Sequence, residues 1–212
     1  MHFPPNRAGN CAFNGTNVVR DLFGHPQVLQ SDAYRASPPD GRAWLEPPQI
    51  INLYPRETKP RLCALSRNSS VDEALAGWPV SEFLNIGVGW RCFARAGRNL
   101  SCQYTDPAML WGVHVHNDTE RFVDSEVAPT LQRGIPFLFD NGFHVRTLLP
   151  APDGAVYVYD DIAVPRVSKV TDVASFLRGI GGEIIMGVAC AGKPQVERKE
   201  RIGRAVLSYC RA

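Results

Sequence analysis

Residues 141–161 read NGFHVRTLLPAPDGAVYVYDD and carry the clearest structural signal in the chain. Two runs rich in β-branched and aromatic residues flank the five-residue segment Pro150-Ala-Pro-Asp-Gly154, whose composition is typical of a turn. This pattern predicts an antiparallel β-hairpin. If the loop folds about Pro152, His144 lies directly opposite Asp160 across the hairpin.

This register gives the His144 side chain a carboxylate partner. Directly opposed residues have Cβ atoms roughly 5 Å apart on one face, so Asp160 can accept the imidazole N–H and orient the other ring nitrogen. Asp161 then points to the opposite face, because side chains alternate along a strand. A tighter turn centred on Asp153-Gly154 removes the pairing, which leaves His144 as an ordinary strand histidine and the two aspartates as the start of a loop.

Near the other end of the chain, residues 6–14 read NRAGNCAFN and place a cysteine at the start of a helix predicted over residues 10–23. Asn10 is a good N-cap, and the free amides of the first turn favour the negatively charged thiolate of Cys11. Asn6 lies across a glycine-containing turn, from which its amide can reach back beside the Cys11 backbone N–H as an oxyanion donor. The alternative is a small buried cysteine that closes the helix end.

The remaining patterns indicate an α+β fold, with a helix near the start and strand-rich sequence late in the chain. Ser70 and Glu73 form a capping box at the start of a short predicted helix, and residues 172–178 predict another helix, closed by Gly179. The two strands of the hairpin are predicted over residues 143–149 and 156–159, and further strands over residues 47–54, 61–65, 90–94, 110–116, 137–139 and 183–190. We expect one compact domain over residues 1–212, helical to about residue 85, sheet-rich over 86–195 and ending in a basic tail over 196–212.

Composition argues against several classes of partner. The chain has 23 lysines and arginines against 21 aspartates and glutamates, and this net charge of +2 is not typical of a nucleic-acid-binding protein. No apolar run reaches the roughly 18 residues that a membrane span requires, and no leader-like pattern begins the chain. The basic stretch over residues 198–204 is typical of a solvated helix face or a disordered end. We therefore expect no nucleic acid and no membrane as partner, and a cytoplasmic or nuclear location.

Metal and cofactor sites are not indicated. The six cysteines include no Cys-x-x-Cys pair, which argues against a structural zinc site, and we expect them to be buried or reactive thiols. His114 and His116 share one face of a predicted strand, with Glu120 and Asp124 nearby. Without a third ligand at fixed spacing, this pattern predicts ordinary strand histidines.

The two ends of the chain together resemble the ubiquitin-specific proteases. Residues 6–14 resemble that family's cysteine box, Asn-x-Gly-Asn-x-Cys-x-x-Asn, with the glycine and the second asparagine shifted by one place, and residues 142–161 resemble its histidine box. The resemblance implies a papain-like cysteine peptidase fold, with an N-terminal nucleophile helix packed on a C-terminal antiparallel sheet. It implies the following site residues: a catalytic triad of Cys11, His144 and Asp160, the oxyanion donor Asn6, and a substrate channel at Asn10, Gly142, Phe143 and Asp161.

The chain departs from the family pattern at several points. It is much shorter than a typical catalytic domain of the family and lacks the paired cysteines of the family's zinc-bearing fingers. Phe143 occupies the position where the family has a glycine, beside the channel through which a substrate ending in Gly-Gly passes. Gly15 replaces the usual serine, and a glycine in a helix interior is expected to weaken the helix by up to about 1 kcal/mol.

By this resemblance, the predicted function is that of a thiol-dependent deubiquitinase-like isopeptidase. Its substrate is expected to be ubiquitin or a ubiquitin-like protein, cleaved after the C-terminal glycine that joins it to lysine. Two alternatives stay open. One is a catalytically idle member of the same fold within a larger complex, and the other is a protease that acts on a viral or pathogen polyprotein.

Overall fold

A computed structural model describes residues 1, 3–5, 11–27, 58, 60–67, 114–141, 144–182 and 184–211. Seven strands among them form one sheet: β1 (Arg61–Ser66), β2 (His114–His116), β3 (Phe137–Asp140), β4 (Val145–Pro150), β5 (Val156–Tyr159), β6 (Val167–Val170) and β7 (Ile184–Ala189). Their order across the sheet is β2-β1-β7-β3-β4-β5-β6. β1 and β2 pair in parallel, and all other neighbouring strands of this sheet are antiparallel.

The described helices are α1 (Cys11–Leu22), α2 (Thr119–Phe122), α3 (Ala128–Gln132), α4 (Val173–Gly179) and α5 (Val196–Arg211), and a π-helical turn (Val123–Val127) joins α2 to α3. Asp172 is the N-cap of α4, and its carboxylate accepts hydrogen bonds from the backbone N–H groups of Ala174 at 2.9 Å and Ser175 at 3.2 Å. Such a cap satisfies amides that have no partner within the helix. Together with the sheet, these helices confirm the predicted α+β class.

Most predicted elements that fall within the described residues are confirmed to within two residues. These are α1, α4 and the strands β1, β3, β4, β5 and β7. The helical segment from α2 to α3 and strand β6 were not predicted. Other predictions lie outside the described residues: the strands over 47–54 and 90–94, the helix that starts at Ser70, and residues 110–113 of the strand that includes β2.

The predicted register of the β4–β5 hairpin is wrong by two residues. Thr147 pairs with Tyr159 and Leu148 with Val158, so the loop is centred on Asp153 rather than on Pro152. Ala151 N–H donates to the Ala155 carbonyl at 2.8 Å and closes the loop one residue later than expected. Continuing this register beyond β5 places Arg146, not His144, opposite Asp160. Since two residues along a strand share one face, His144 remains on the face of Asp160.

Helix α1 packs on β4, close to its partner strand β3, and Gly15 makes this approach possible. A Cβ atom at this position would lie 2.8 Å from both Leu138 Cδ1 and Thr147 Oγ1. Gly15 stands where the family resemblance leads us to expect a serine. A serine side chain at this position would collide with the sheet. The close approach positions the first turn of α1, which carries Cys11, over the strand that follows His144.

Two clusters of buried side chains hold the described elements together. The larger one joins the sheet to α4 and to the helical segment from α2 to α3, and its largest fully buried members include Phe122, Phe137 and Phe139. The smaller one joins α1, β4, β5 and β6 to α5. Burial of such apolar surface is the main stabilising contribution to a fold of this size.

The C-terminal segment is neither disordered nor merely a solvated face, in contrast to the prediction for the basic tail. α5 is an amphipathic helix in which Ile202 and Val206, one turn apart, are buried in the smaller cluster. The many basic side chains around these two residues favour a surface segment. The i, i+4 spacing of Ile202 and Val206 instead indicates a buried apolar face. Among the described residues, no helix combines the length and apolar character that crossing a membrane would require.

Candidate active site

Cys11 is the first residue of α1 and is a free, partly exposed cysteine. The amides of a helix's first turn have no partners within the helix, and together with the helix dipole they favour a negative charge at this position. The structure brings Cys11 into hydrogen-bonding contact with the imidazole of His144. A thiol and an imidazole from distant parts of the sequence therefore meet at the start of the helix.

His144 stands immediately before β4 and is fixed by its own backbone. The His144 N–H donates to Asn141 Oδ1 at 3.0 Å, and Asn141 Nδ2 donates to the Gly181 carbonyl at 3.0 Å. Asn141 thus ties the residue before β4 to the loop that precedes β7. Gly182 in that loop has φ +111° and approaches the Asn141 carbonyl so closely that a Cβ atom would lie 2.6 Å from it. A side chain cannot be accommodated there without moving the segment that carries His144.

The imidazole is held by a carboxylate on the side away from the thiol. His144 Nε2 lies 2.8 Å from Asp160 Oδ1, which leaves Nδ1 as the ring nitrogen available to Cys11. Burial of His144 opposes its charged form, but the hydrogen bonds and charges of Asp160 and Cys11 outweigh it and raise the pKa of His144 to about 9. Near neutral pH the raised pKa therefore favours the imidazolium form of His144, which lies beside the Cys11 thiol as the acid–base partner that a cysteine nucleophile requires.

Asp160 is held from both sides. Its Oδ1 faces His144 and its Oδ2 accepts a hydrogen bond from Arg146 Nε at 2.7 Å. Burial favours the neutral acid, yet the hydrogen bonds from His144 and Arg146 and the Arg146 charge outweigh it and keep the pKa of Asp160 well below its usual range. Arg146 lies two residues after His144 on the same strand face and was not identified from the sequence. The alternation that brings His144 to Asp160 also brings Arg146 there.

Asp161 does not point to the opposite face, in contrast to the prediction. β5 ends at Tyr159, so the alternation of a strand no longer applies two residues later. Asp161 Oδ1 lies 3.4 Å from His144 Nε2, and Asp161 Oδ2 accepts a hydrogen bond from Asn14 Nδ2 at 2.7 Å. Asn14 is one turn after Cys11 on α1, so this buried bond links the nucleophile helix to the loop that carries both aspartates. Asn14 was part of the sequence motif, but the sequence assigned it no role.

Other predicted site residues are distributed as follows. Asn6, Asn10, Gly142 and Phe143 lie outside the described residues.

The predicted strand histidine His116 contacts a carboxylate: its Nε2 lies 3.1 Å from Oε1 of Glu126, and this contact joins β2 to the π-helical turn. In the described part of the chain, the only group of three potential metal ligands is that of His144, Asp160 and Asp161. Hydrogen bonds already engage both oxygens of Asp160 and one of Asp161, so this cluster fits an orienting role better than a metal site.

Comparison with known proteins adds no relative. The chain matches no family model, no curated protein and no solved structure.

Proposed function

We propose that the chain is a cysteine peptidase in which Cys11 is the nucleophile, His144 the general base and acid, and Asp160 the residue that orients the imidazole. The observation that carries this proposal is that His144 contacts Cys11 on one side and Asp160 Oδ1, at 2.8 Å, on the other. A nucleophile, a base and a group that orients the base are the three parts that this chemistry requires.

The proposed reaction proceeds in two steps. In the proposed reactive pair the proton of Cys11 resides on His144, and the Cys11 sulfur attacks the carbonyl carbon of the substrate to form a tetrahedral intermediate. Collapse of this intermediate breaks the C–N bond, and the imidazolium donates its proton to the leaving amine. Water, deprotonated by His144, then attacks the thioester and releases the acid and the free thiol. The Cys11 backbone N–H and Asn6 are proposed to stabilise the oxyanion.

The substrate class rests on the resemblance of the two sequence boxes to the ubiquitin-specific proteases. We propose a papain-like fold for the chain and, as substrate, the C-terminal glycine of ubiquitin or a ubiquitin-like protein joined to a lysine side chain. The contact between α1 and the β3–β4 part of the sheet supports this view, because a nucleophile helix packed on a sheet that carries the histidine is the arrangement the resemblance implies.

Labelling with ubiquitin that carries a thiol-reactive C-terminal group tests the proposal. Cys210 is an exposed free cysteine, so the experiment uses a Cys210→Ser background in which alkylation of that residue is removed. We expect a mass increase of one ubiquitin that disappears in Cys11→Ser. A matched control, Cys190→Ser, should keep the label, because burial raises the pKa of the Cys190 thiol to about 12 and makes it inert.

Two other results would revise the proposal. If iodoacetamide alkylates Cys11 rapidly but ubiquitin does not label it, the site is reactive toward a different substrate, and cleavage of an extended polyprotein becomes the alternative to test. If Cys11 reacts no faster than a free thiol in either assay, the peptidase proposal is wrong. The chain is then better explained as an idle subunit of a larger complex.

A further inference from the structure

A cleft of about 520 Å³ opens between α5 and the segment before β6, and Cys11, His144 and Asp160 are not among its lining residues. Three arginines line it: Arg166, just before β6, and Arg201 and Arg204 on α5. Among the described residues, the cleft is also lined by Met1, Phe3, Ala205, Ser208 and Tyr209. None of the described residues that line it is acidic. Positive side chains therefore converge on a space that is wide enough for several side chains of a ligand.

The charges of these arginines are only weakly compensated. Arg201 donates to the backbone carbonyls of Leu22 at 2.7 Å and Asp21 at 2.8 Å, which fix its guanidinium without neutralising it. Arg204 has one carboxylate neighbour, Glu200, at 3.9 Å, and both side chains are largely exposed. Such a pair contributes little in water.

Of the three arginines, Arg166 is the one whose guanidinium is best placed to bind an anionic group. Among the described residues, no carboxylate forms a salt bridge with it, and its buried Nε has no hydrogen-bond partner. Its guanidinium lies over the ring of Tyr209, 5.5 Å from the centroid, and the Arg166 backbone N–H donates to the Tyr209 hydroxyl at 3.0 Å. The arginine is thus held in place before any ligand arrives, which lowers the entropy cost of binding.

The cleft also has an apolar wall. Phe3 packs edge-on against Tyr209 with ring centroids 5.9 Å apart, and Met1 and Ala205 line the same space. A single small anion would use the arginines and leave this wall uncovered. A nucleic acid would be expected to contact a longer basic surface, and the chain as a whole has a net charge of only +2.

We propose that this cleft binds an extended peptide segment that carries acidic side chains beside an apolar one. The carboxylates pair with Arg166, Arg201 and Arg204, and the apolar side chain packs on the partly exposed Ala205 and Tyr209. Arginine is well suited to this task, because its planar guanidinium can hold a carboxylate through two parallel hydrogen bonds. The proposal does not depend on the proposed peptidase activity.

Fluorescence anisotropy with a labelled peptide of about eight alternating glutamates and leucines tests this proposal, with the glutamine analogue of the same peptide for comparison. We expect the glutamate peptide to bind at least about tenfold more tightly, with an affinity that falls as salt is raised. Arg204→Glu should weaken binding at least about tenfold, because it replaces an attraction by a repulsion. Its side chain is 70% exposed, so the fold should tolerate the change.

Lys169→Glu is the matched control. It makes the same change in net charge at an exposed position of β6 that does not line the cleft, and it should leave peptide affinity within about twofold of the unmodified chain. Equal binding of the two peptides, or equal losses in the two variants, would overturn the proposal. Tighter binding of a labelled oligonucleotide than of the peptide, or an affinity for inorganic phosphate equal to that for the peptide, would overturn the choice of ligand.

Discussion

At the scale of single residues, Asp160 connects the charged groups of the candidate site. One of its oxygens faces His144 and the other faces Arg146, so the carboxylate cannot rotate without losing one of two charged partners. We therefore propose Arg146 as a positioning residue for the imidazole, since it acts on the ring through Asp160. A geometry held by two partners is more precise than one held by a single hydrogen bond.

The raised pKa of His144 predicts the pH dependence of the proposed reaction. The imidazolium must donate a proton to the leaving amine, so kcat/KM should fall as pH rises through about 9, where His144 loses its proton. In Asp160→Asn, the negative charge that favours the imidazolium is gone, and the pKa of His144 should fall. The alkaline limb should therefore move toward neutral pH.

Two measurements check this prediction. One is the pH profile of kcat/KM, and the other is the pH titration of the His144 ring signals by NMR, which needs no substrate. Asp124→Asn is the control, because it makes the same carboxylate-to-amide change at an exposed position of the π-helical turn. An alkaline limb that stays in place in Asp160→Asn would contradict the role given to that carboxylate.

At the scale of elements, the contact between α1 and the sheet depends on a missing side chain. At Gly15 a Cβ atom would lie 2.8 Å from Leu138 Cδ1 and from Thr147 Oγ1, closer than side-chain atoms approach in folded proteins. The intrinsic cost of a glycine in a helix, about 1 kcal/mol, is therefore offset by a closer approach of α1 to the sheet.

Gly15→Ala should lower the free energy of unfolding by about 1–3 kcal/mol, because the added methyl group forces α1 away from the sheet. Gly179→Ala, at the end of α4, is the matched control. A Cβ atom there meets nothing within 4 Å, and this change should be neutral or slightly stabilising. Urea denaturation of the two variants measures the difference, and a Gly15→Ala protein as stable as the control would refute the packing argument.

At the scale of the whole molecule, the chain's two ends meet. α5 packs against α1 and β4, and Arg201 on α5 donates to the carbonyls of Leu22 and Asp21 at the end of α1. The C-terminal helix thus supports the helix that carries Cys11. Its removal should affect both stability and the candidate site.

Ile202→Ala tests this support, because Ile202 is fully buried between α5 and the sheet. We expect a loss of about 2–5 kcal/mol in the free energy of unfolding, the usual cost of the cavity that such a change leaves in a core. Leu207→Ala, at a position that is 53% exposed on the same helix, should change it by less than about 0.5 kcal/mol. Chemical denaturation compares the two variants, and equal effects would mean that α5 does not belong to the core.

Short-range signals in the sequence specified most of the described elements and the proximity of residues that are close in the chain. Turn-forming residues mark the β4–β5 hairpin, and Asp172 marks the start of α4, because these signals act over a few residues. The proximity of His144 and Asp160 was predicted for the same reason. The two side chains meet although the predicted register was wrong, because a shift of two residues keeps side chains on the same face of the hairpin.

Contacts between segments that are distant in the chain arose instead from tertiary packing. The direction of Asp161 depends on where β5 ends, and its bond to Asn14 depends on how closely α1 approaches the sheet. The parallel pairing of β1 with β2 and the burial of Ile202 on a basic helix likewise arise from surfaces that many residues build together. Such contacts are fixed by the packing of the whole molecule, which no short stretch of sequence specifies.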